Sequence, residues 1–309
     1  MPSFPPTSPR FEAWVASAGA RPALWRIAAC LALAALVWIA ALAGLVALGR
    51  RIVPAGADAG SAALLIYLAS FAGLLAGLCA GVRLLHGRSP ASLAGPAQGV
   101  RLLAGIALGA AFVLAAFALA LGPLALIAPP ERQLSLAAWA AALPLALPLV
   151  LVQAAAEEVV FRGYLQTQLA ARFRSALIWW LAPALVFGAL HWNPAEFGAN
   201  AALVAAAAAL MGLALGDVTA RTGSLGLAIG LHFANNALAM LIIASPSALS
   251  GLALYLSPFD PGDPAAMRAT LLGNIALIGL AYGGWLWWAG RRARAAAQPR
   301  ANPESRRGR

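Results

Sequence analysis

Runs of about twenty apolar residues recur along nearly the whole of this chain, and they decide what it can fold into. Twenty residues of α-helix rise about 30 Å, the thickness of a bilayer's hydrocarbon core. Within that layer only helices and closed barrels satisfy every backbone hydrogen bond. The chain has 309 residues, 62% of them hydrophobic and 10% charged, a balance far from that of a soluble domain. The expectation is an all-α fold, a polytopic membrane bundle of about eight transmembrane helices, near 27–49, 61–82, 101–121, 135–160, 175–192, 196–216, 224–245 and 269–289. The fourth run continues through Glu157 and Glu158 to about Arg172 as one long helix, and Pro144 and Pro148 predict a kink in it.

Charge placement gives the bundle a direction. All 21 basic residues are arginine, and seventeen of them fall on one side if the amino terminus is cytoplasmic. Only Arg50, Arg51, Arg132 and Arg268 fall on the other, a positive-inside bias that puts both termini in the cytoplasm. The chain divides into a cytoplasmic amino-terminal segment (1–26), a single bundle without internal repeat or linker (27–290) and a basic cytoplasmic tail (291–309). The first apolar run is too long and starts too late for a signal peptide, so it reads as a retained anchor. The tail fits attraction to anionic lipid better than nucleic-acid binding, and Trp285, Trp287 and Trp288 before it fit an interfacial aromatic belt. Cys30 and Cys79 fall within spans and read as packing residues, as do Ala205 to Ala209 and the Gly212/Gly216 pair.

Ionisable groups inside such spans are costly and default to a functional role. Three polar clusters stand out: Glu157 and Glu158 with Arg162, Phe187 with His191, and His232 with Asn236. Glu158 and Arg162 stand four residues apart on one helix face, whereas Glu157 points elsewhere. Arg162 favours an ionised Glu158, while desolvation and a neighbouring like charge act on Glu157, making it the better general base. A purely structural ion-pair network is the competing reading of this triplet. His191 sits near a helix end, because Pro194 disfavours helix at the residue before it. His232 and Asn236 can point donors at one place, as an oxyanion site requires, or can serve as interhelical glue. Counting about 1.5 Å per residue from the arginines that mark the helix ends puts Glu157, His191 and Asn236 roughly 22–25 Å in, with His232 about one turn lower. Spans of alternating direction need not agree in this way, so a single shared site is expected.

The ordered set EExxxR (Glu157 to Arg162), FxxxH (Phe187 to His191) and HxxxN (His232 to Asn236) resembles the motifs of the CPBP family. That family comprises the type II CAAX prenyl endopeptidases and their bacteriocin-processing, or Abi, relatives, and the resemblance covers about 135–245. It implies a glutamate-dependent intramembrane endopeptidase without metal or other cofactor. In that reading Glu157 activates water with His191, and His232 and Asn236 stabilise the oxyanion. Glu158, Arg162 and Phe187 support the site. The implied partners are a membrane-associated protein or peptide substrate and the lipid bilayer, with no nucleic acid. An alanine-rich chain without lysine points to a GC-rich bacterial genome and so to a bacterial inner membrane. Competing readings are a zinc protease using Glu157, His191 and His232 as ligands, a non-proteolytic immunity or scaffold protein of the same family, and a transporter.

Overall fold

A computed structural model describes residues 5–52, 59–96, 98–247, 250–259 and 263–297. The basic tail expected from the sequence is described only as far as Ala297, and its remainder lies outside the described residues.

A short helix α1 (Pro9–Ala18) opens the described chain; Ser8 caps it by accepting the Phe11 amide on its hydroxyl. The long helices α2 (Leu24–Ile52) and α3 (Ala59–Gly81) then form a hairpin, and α3 runs on through a π-helical turn to His86. Helix α4 (Val100–Ile127) follows, then α5 (Leu136–Glu158). The latter continues past both of its prolines, through π-helical Val159–Gln166, into α6 (Thr167–Arg172), so the expected long helix to Arg172 is present. After a π-helical turn at Leu177–Leu181 come α7 (Ala182–Ala189), α8 (Pro194–Phe197), α9 (Ala201–Thr222), α10 (Gly226–Ala237), continued by a π-turn to Ile242, and α11 (Pro264–Ala297).

Among the described residues six helical stretches are long and apolar enough to cross a membrane, which makes this a multi-pass membrane protein. The remaining two expected spans are helical but shorter, at Leu177–Ala189 and Gly226–Ile242. The first, thirteen residues long, rises only about 20 Å, less than the hydrocarbon thickness. It is cut short because Pro194 starts a new helix, with Asn193 as its cap accepting the Glu196 amide. The second ends where Ile243 leaves the helix for an extended strand. These two short helices are the ones that carry or lead to His191 and His232.

Three two-residue strands that the apolar pattern does not reveal join the loops where α5 begins and α10 ends. They are β1 (Glu131–Arg132), β2 (Ile243–Ala244) and β3 (Tyr255–Leu256) in the order β1-β3-β2, with β1 antiparallel and β2 parallel to β3.

The polar and apolar surfaces are distributed as a hydrocarbon solvent demands. Leu36, Ile39, Leu103, Leu114, Leu119 and Leu280 are exposed, whereas Gln153, Glu158, Arg162, Gln166, Asp217 and His232 are buried. With lipid outside, apolar burial does not drive helix association, and close backbone packing takes its place. Helix α10 lies along α4 in this way. A Cβ added at Gly230 would strike the Ile106 carbonyl oxygen, and one at Gly109 would strike that of Leu227. Glycine at both positions therefore sets the depth at which α10 sits, and with it the position of His232, two residues beyond Gly230.

Candidate active site

The antiparallel run of α5 against α10 builds the site as two rungs, each helix advancing by four residues between them. In the first rung Asn236 Nδ2 donates to Gln153 Oε1 at 2.8 Å. In the second, His232 lies between both glutamates. Its Nδ1 donates to Glu158 Oε1 at 2.8 Å, and its Nε2 is 3.6 Å from Glu157 Oε2. Burial allows this geometry to be specific, since His232 is 2% and Glu158 0% exposed.

Glu158 is an anchor. The oxygen that accepts from His232 also accepts from Arg162 Nη1 at 2.8 Å, closing the expected i,i+4 pair. Its second oxygen, Oε2, is buried without a hydrogen-bond partner among the described residues, so both of the carboxylate's ties run through Oε1. Arg162 Nη2 reaches across to donate to the Gly212 carbonyl of α9 at 3.1 Å. This ion pair thus links α5, α9 and α10. The π-helical stretch from Val159 begins directly after Glu158, and such local widening of a helix is frequent at functional sites. Gly163 within it lets the backbone close on the Leu93 carbonyl.

Glu157 has a different environment, as its place on the helix predicts. It retains 14% of its side-chain exposure, and its Oε2 is buried without a hydrogen-bond partner among the described residues. Because His232 commits its Nδ1 proton to Glu158, its Nε2 is the nitrogen turned to Glu157, and the ring can donate there only when both nitrogens carry protons.

The third cluster joins through an aromatic wall. Phe187 is 2% exposed, and its ring centroid lies 4.7 Å from that of His191, 6.0 Å from that of His232 and 5.0 Å from that of Phe161. The Arg162 guanidinium lies over the same ring at 5.0 Å. His191, just beyond α7, donates from Nδ1 to the Phe187 carbonyl at 2.7 Å, which leaves Nε2 as an acceptor. Its hydrogen bond is thus to Phe187 and not to Glu157, and Nε2 stays available to water or to a reacting molecule. Phe187 is what holds His191 and His232 around one centre.

Three residues that the motif spacing does not single out belong to this neighbourhood. Gln153 fixes Asn236, as described. Asn274 of α11 donates to Asn235 Oδ1 at 3.1 Å, and Asn235 donates to Asn236 Oδ1 at 3.2 Å, so a chain of amides runs from α11 to Gln153. Tyr67 of α3 lies within electrostatic reach of Glu157 and of Glu196. Gln153 stands one turn before Glu157 inside an apolar run, and a polar side chain there is the available signal. Asn274 stands in the apolar run of α11 and carries the same signal, but its partner Asn235 is not marked by any local spacing. Among the described residues no three or more His, Cys, Asp or Glu side chains are grouped to hold a metal ion.

Comparison with known proteins points to this part of the chain. The uncharacterized protein YyaK of Bacillus subtilis (strain 168) is 29% identical over 144 residues, 46% of this chain and 47% of the relative. The chain thus spans about half the length of the curated relative it matches. No solved structure matches it. Residues 138–238 match the family model described as type II CAAX prenyl endopeptidase Rce1-like, and every residue of the three motifs falls inside that match. Over residues 138–238, therefore, the chain is similar to the Rce1-like type II CAAX prenyl endopeptidases.

Proposed function

We propose that this protein is an intramembrane endopeptidase that hydrolyses a peptide bond of a membrane-associated or lipidated protein or peptide. It would act in the cell membrane with both termini on the cytoplasmic side. The observation that carries the reading is the unequal setting of two adjacent carboxylates around one imidazole. Glu158 is committed to Arg162 and His232, each at 2.8 Å. Glu157 keeps part of its exposure and has its Oε2 3.6 Å from His232 Nε2, without a hydrogen-bond partner among the described residues. A carboxylate committed to an arginine anchors a site, and one left free beside it can take a proton.

Glu157, with the acceptor Nε2 of His191, removes a proton from water as its oxygen adds to the scissile carbonyl. The charge that develops on the carbonyl oxygen is met by protonated His232 Nε2 and by the second Nδ2 hydrogen of Asn236. The proton taken from water then passes to the leaving nitrogen as the C–N bond breaks. Amide hydrolysis needs this much, a positioned base and preorganised donors, and a membrane interior strengthens both by excluding bulk water.

The test is cleavage of a fluorogenic peptide, lipidated and unlipidated, by the full chain in proteoliposomes. His232→Ala and Asn236→Ala are each expected to lower kcat by about 10²–10³ with KM little changed, as for loss of one oxyanion donor. Activity should survive chelation. Loss of activity on chelation with recovery on zinc addition, alongside zinc by elemental analysis, overturns the metal-free mechanism; failure to cleave either peptide overturns the endopeptidase reading.

A smaller effect is expected one step out. Gln153→Leu removes the acceptor that orients Asn236, and displacement of a donor from its productive position should reduce kcat roughly tenfold with KM unchanged. A kcat equal to wild type would show that Gln153 does not position Asn236.

A further inference from the structure

Four arginines from four separate helices meet in one cleft that contains none of the residues of the glutamate site. Arg10 of α1, Arg101 at the start of α4, Arg221 near the end of α9 and Arg292 near the end of α11 line a cavity of about 790 Å³. Of the four, only Arg221 has an ion-pair partner among the described residues, Asp217 Oδ2 at 2.6 Å. That same oxygen also accepts from the Tyr282 hydroxyl at 2.7 Å, so its charge is already shared. Of the acidic groups beside the cleft, Asp217 is tied to Arg221 and Glu12 accepts from the Thr7 hydroxyl of the lining, so Arg10, Arg101 and Arg292 make no ion pair among the described residues and the rim keeps an excess of positive charge that attracts an anion.

The walls beside the arginines are apolar. Leu108 of α4, Leu227 of α10 and Trp285 of α11 line the same cleft. A second tryptophan, Trp288, also lines the cleft, and Arg292 lies over its ring at 4.4 Å. Tryptophans and arginines at the end of a membrane helix sit at headgroup level. A guanidinium rim beside leucine and tryptophan fits an amphiphile, with a phosphodiester at the rim and a chain along the wall. A small soluble anion would use the rim alone.

We propose that this cleft binds an anionic glycerophospholipid, with the phosphodiester held by Arg10, Arg101 and Arg292 and the beginning of an acyl chain lying on Leu108, Leu227 and Trp285. The planar guanidinium suits bidentate contact with phosphate oxygens. Because the cleft shares no residue with the glutamate site, the proposal stands or falls independently of the proteolytic reading.

Native mass spectrometry of the full chain in detergent, titrated with phosphatidylglycerol or phosphatidylcholine, tests it. Phosphatidylglycerol should be retained and phosphatidylcholine should not, and millimolar inorganic phosphate should leave the lipid adduct in place. Arg101→Gln and Arg292→Gln, both at exposed positions, should each raise the half-saturating lipid concentration about fivefold, and Arg294→Gln, outside the cleft on the same helix, should not. Equal retention of the two lipids, displacement of the adduct by phosphate, or an unchanged Arg101→Gln/Arg292→Gln double variant would each overturn the proposal.

Discussion

Glu157→Gln is expected to abolish peptide cleavage, a loss of about 10⁴-fold at the upper end for removal of a general base, while folded yield in detergent stays near wild type. The asymmetry follows from geometry. Glu157 forms no ion pair with an arginine among the described residues, and His232 Nε2, at 3.6 Å, stands beyond hydrogen-bond range. Glutamine matches glutamate closely in shape, so any loss of activity reports the missing proton acceptor. His191→Ala should behave in the same way, because the imidazole's hydrogen bond is to the Phe187 carbonyl within its own turn. Glu158 offers the opposite contrast, since its Oε1 holds both Arg162 and His232. Cleavage retained in Glu157→Ala and lost in Glu158→Ala, with both variants folded, would reverse the assignment of base and anchor.

What the chain reveals before folding, and what it withholds, follows from the kinds of force involved. Apolar runs locate helices because hydrocarbon solvent imposes one requirement on every span, and the long helix through Glu157 to Arg172 can be read for that reason. Depth counting brings Glu157, His191 and Asn236 to one level because helical rise is uniform, and the fold places His191 and His232 about Phe187 with Glu157 beside His232. Length is less legible. The apolar runs near 175–192 and 224–245 outlast the helices inside them, Leu177–Ala189 and Gly226–Ile242, because hydropathy does not register where a helix stops. The π-helical turn after Glu158 and the contact of Asn274 with Asn235 are products of tertiary packing, and no local spacing encodes them. Gln153 lies between these cases: its position in the apolar run is visible, but its partner Asn236, 83 residues away, is not.

Arg162→Ala should be the most destabilising change at the site. Arg162 is 2% exposed and supplies the counter-charge to a Glu158 that is fully buried. Removing one member of a buried pair strands the other's charge, at a cost of about 3–5 kcal/mol. Here the loss extends further, because Nη2 also satisfies the Gly212 carbonyl of α9 and the guanidinium covers the face of Phe187 at 5.0 Å. Glu158 would retain only His232 as a partner, so the ring that faces Glu157 would lose its fixed orientation together with the tie to α9. Folded yield by detergent size-exclusion chromatography should fall well below that of Glu157→Gln, and the activity of the surviving fraction should fall as well. Arg162→Lys tests whether charge alone suffices: an ammonium can pair with Glu158 but lacks the planar fork that reaches Glu158 and Gly212 together, so only partial recovery is expected. Equal yields for Arg162→Ala and Glu157→Gln would mean that the pair does not hold the bundle together, and Glu158 would then have to be considered for the chemistry itself.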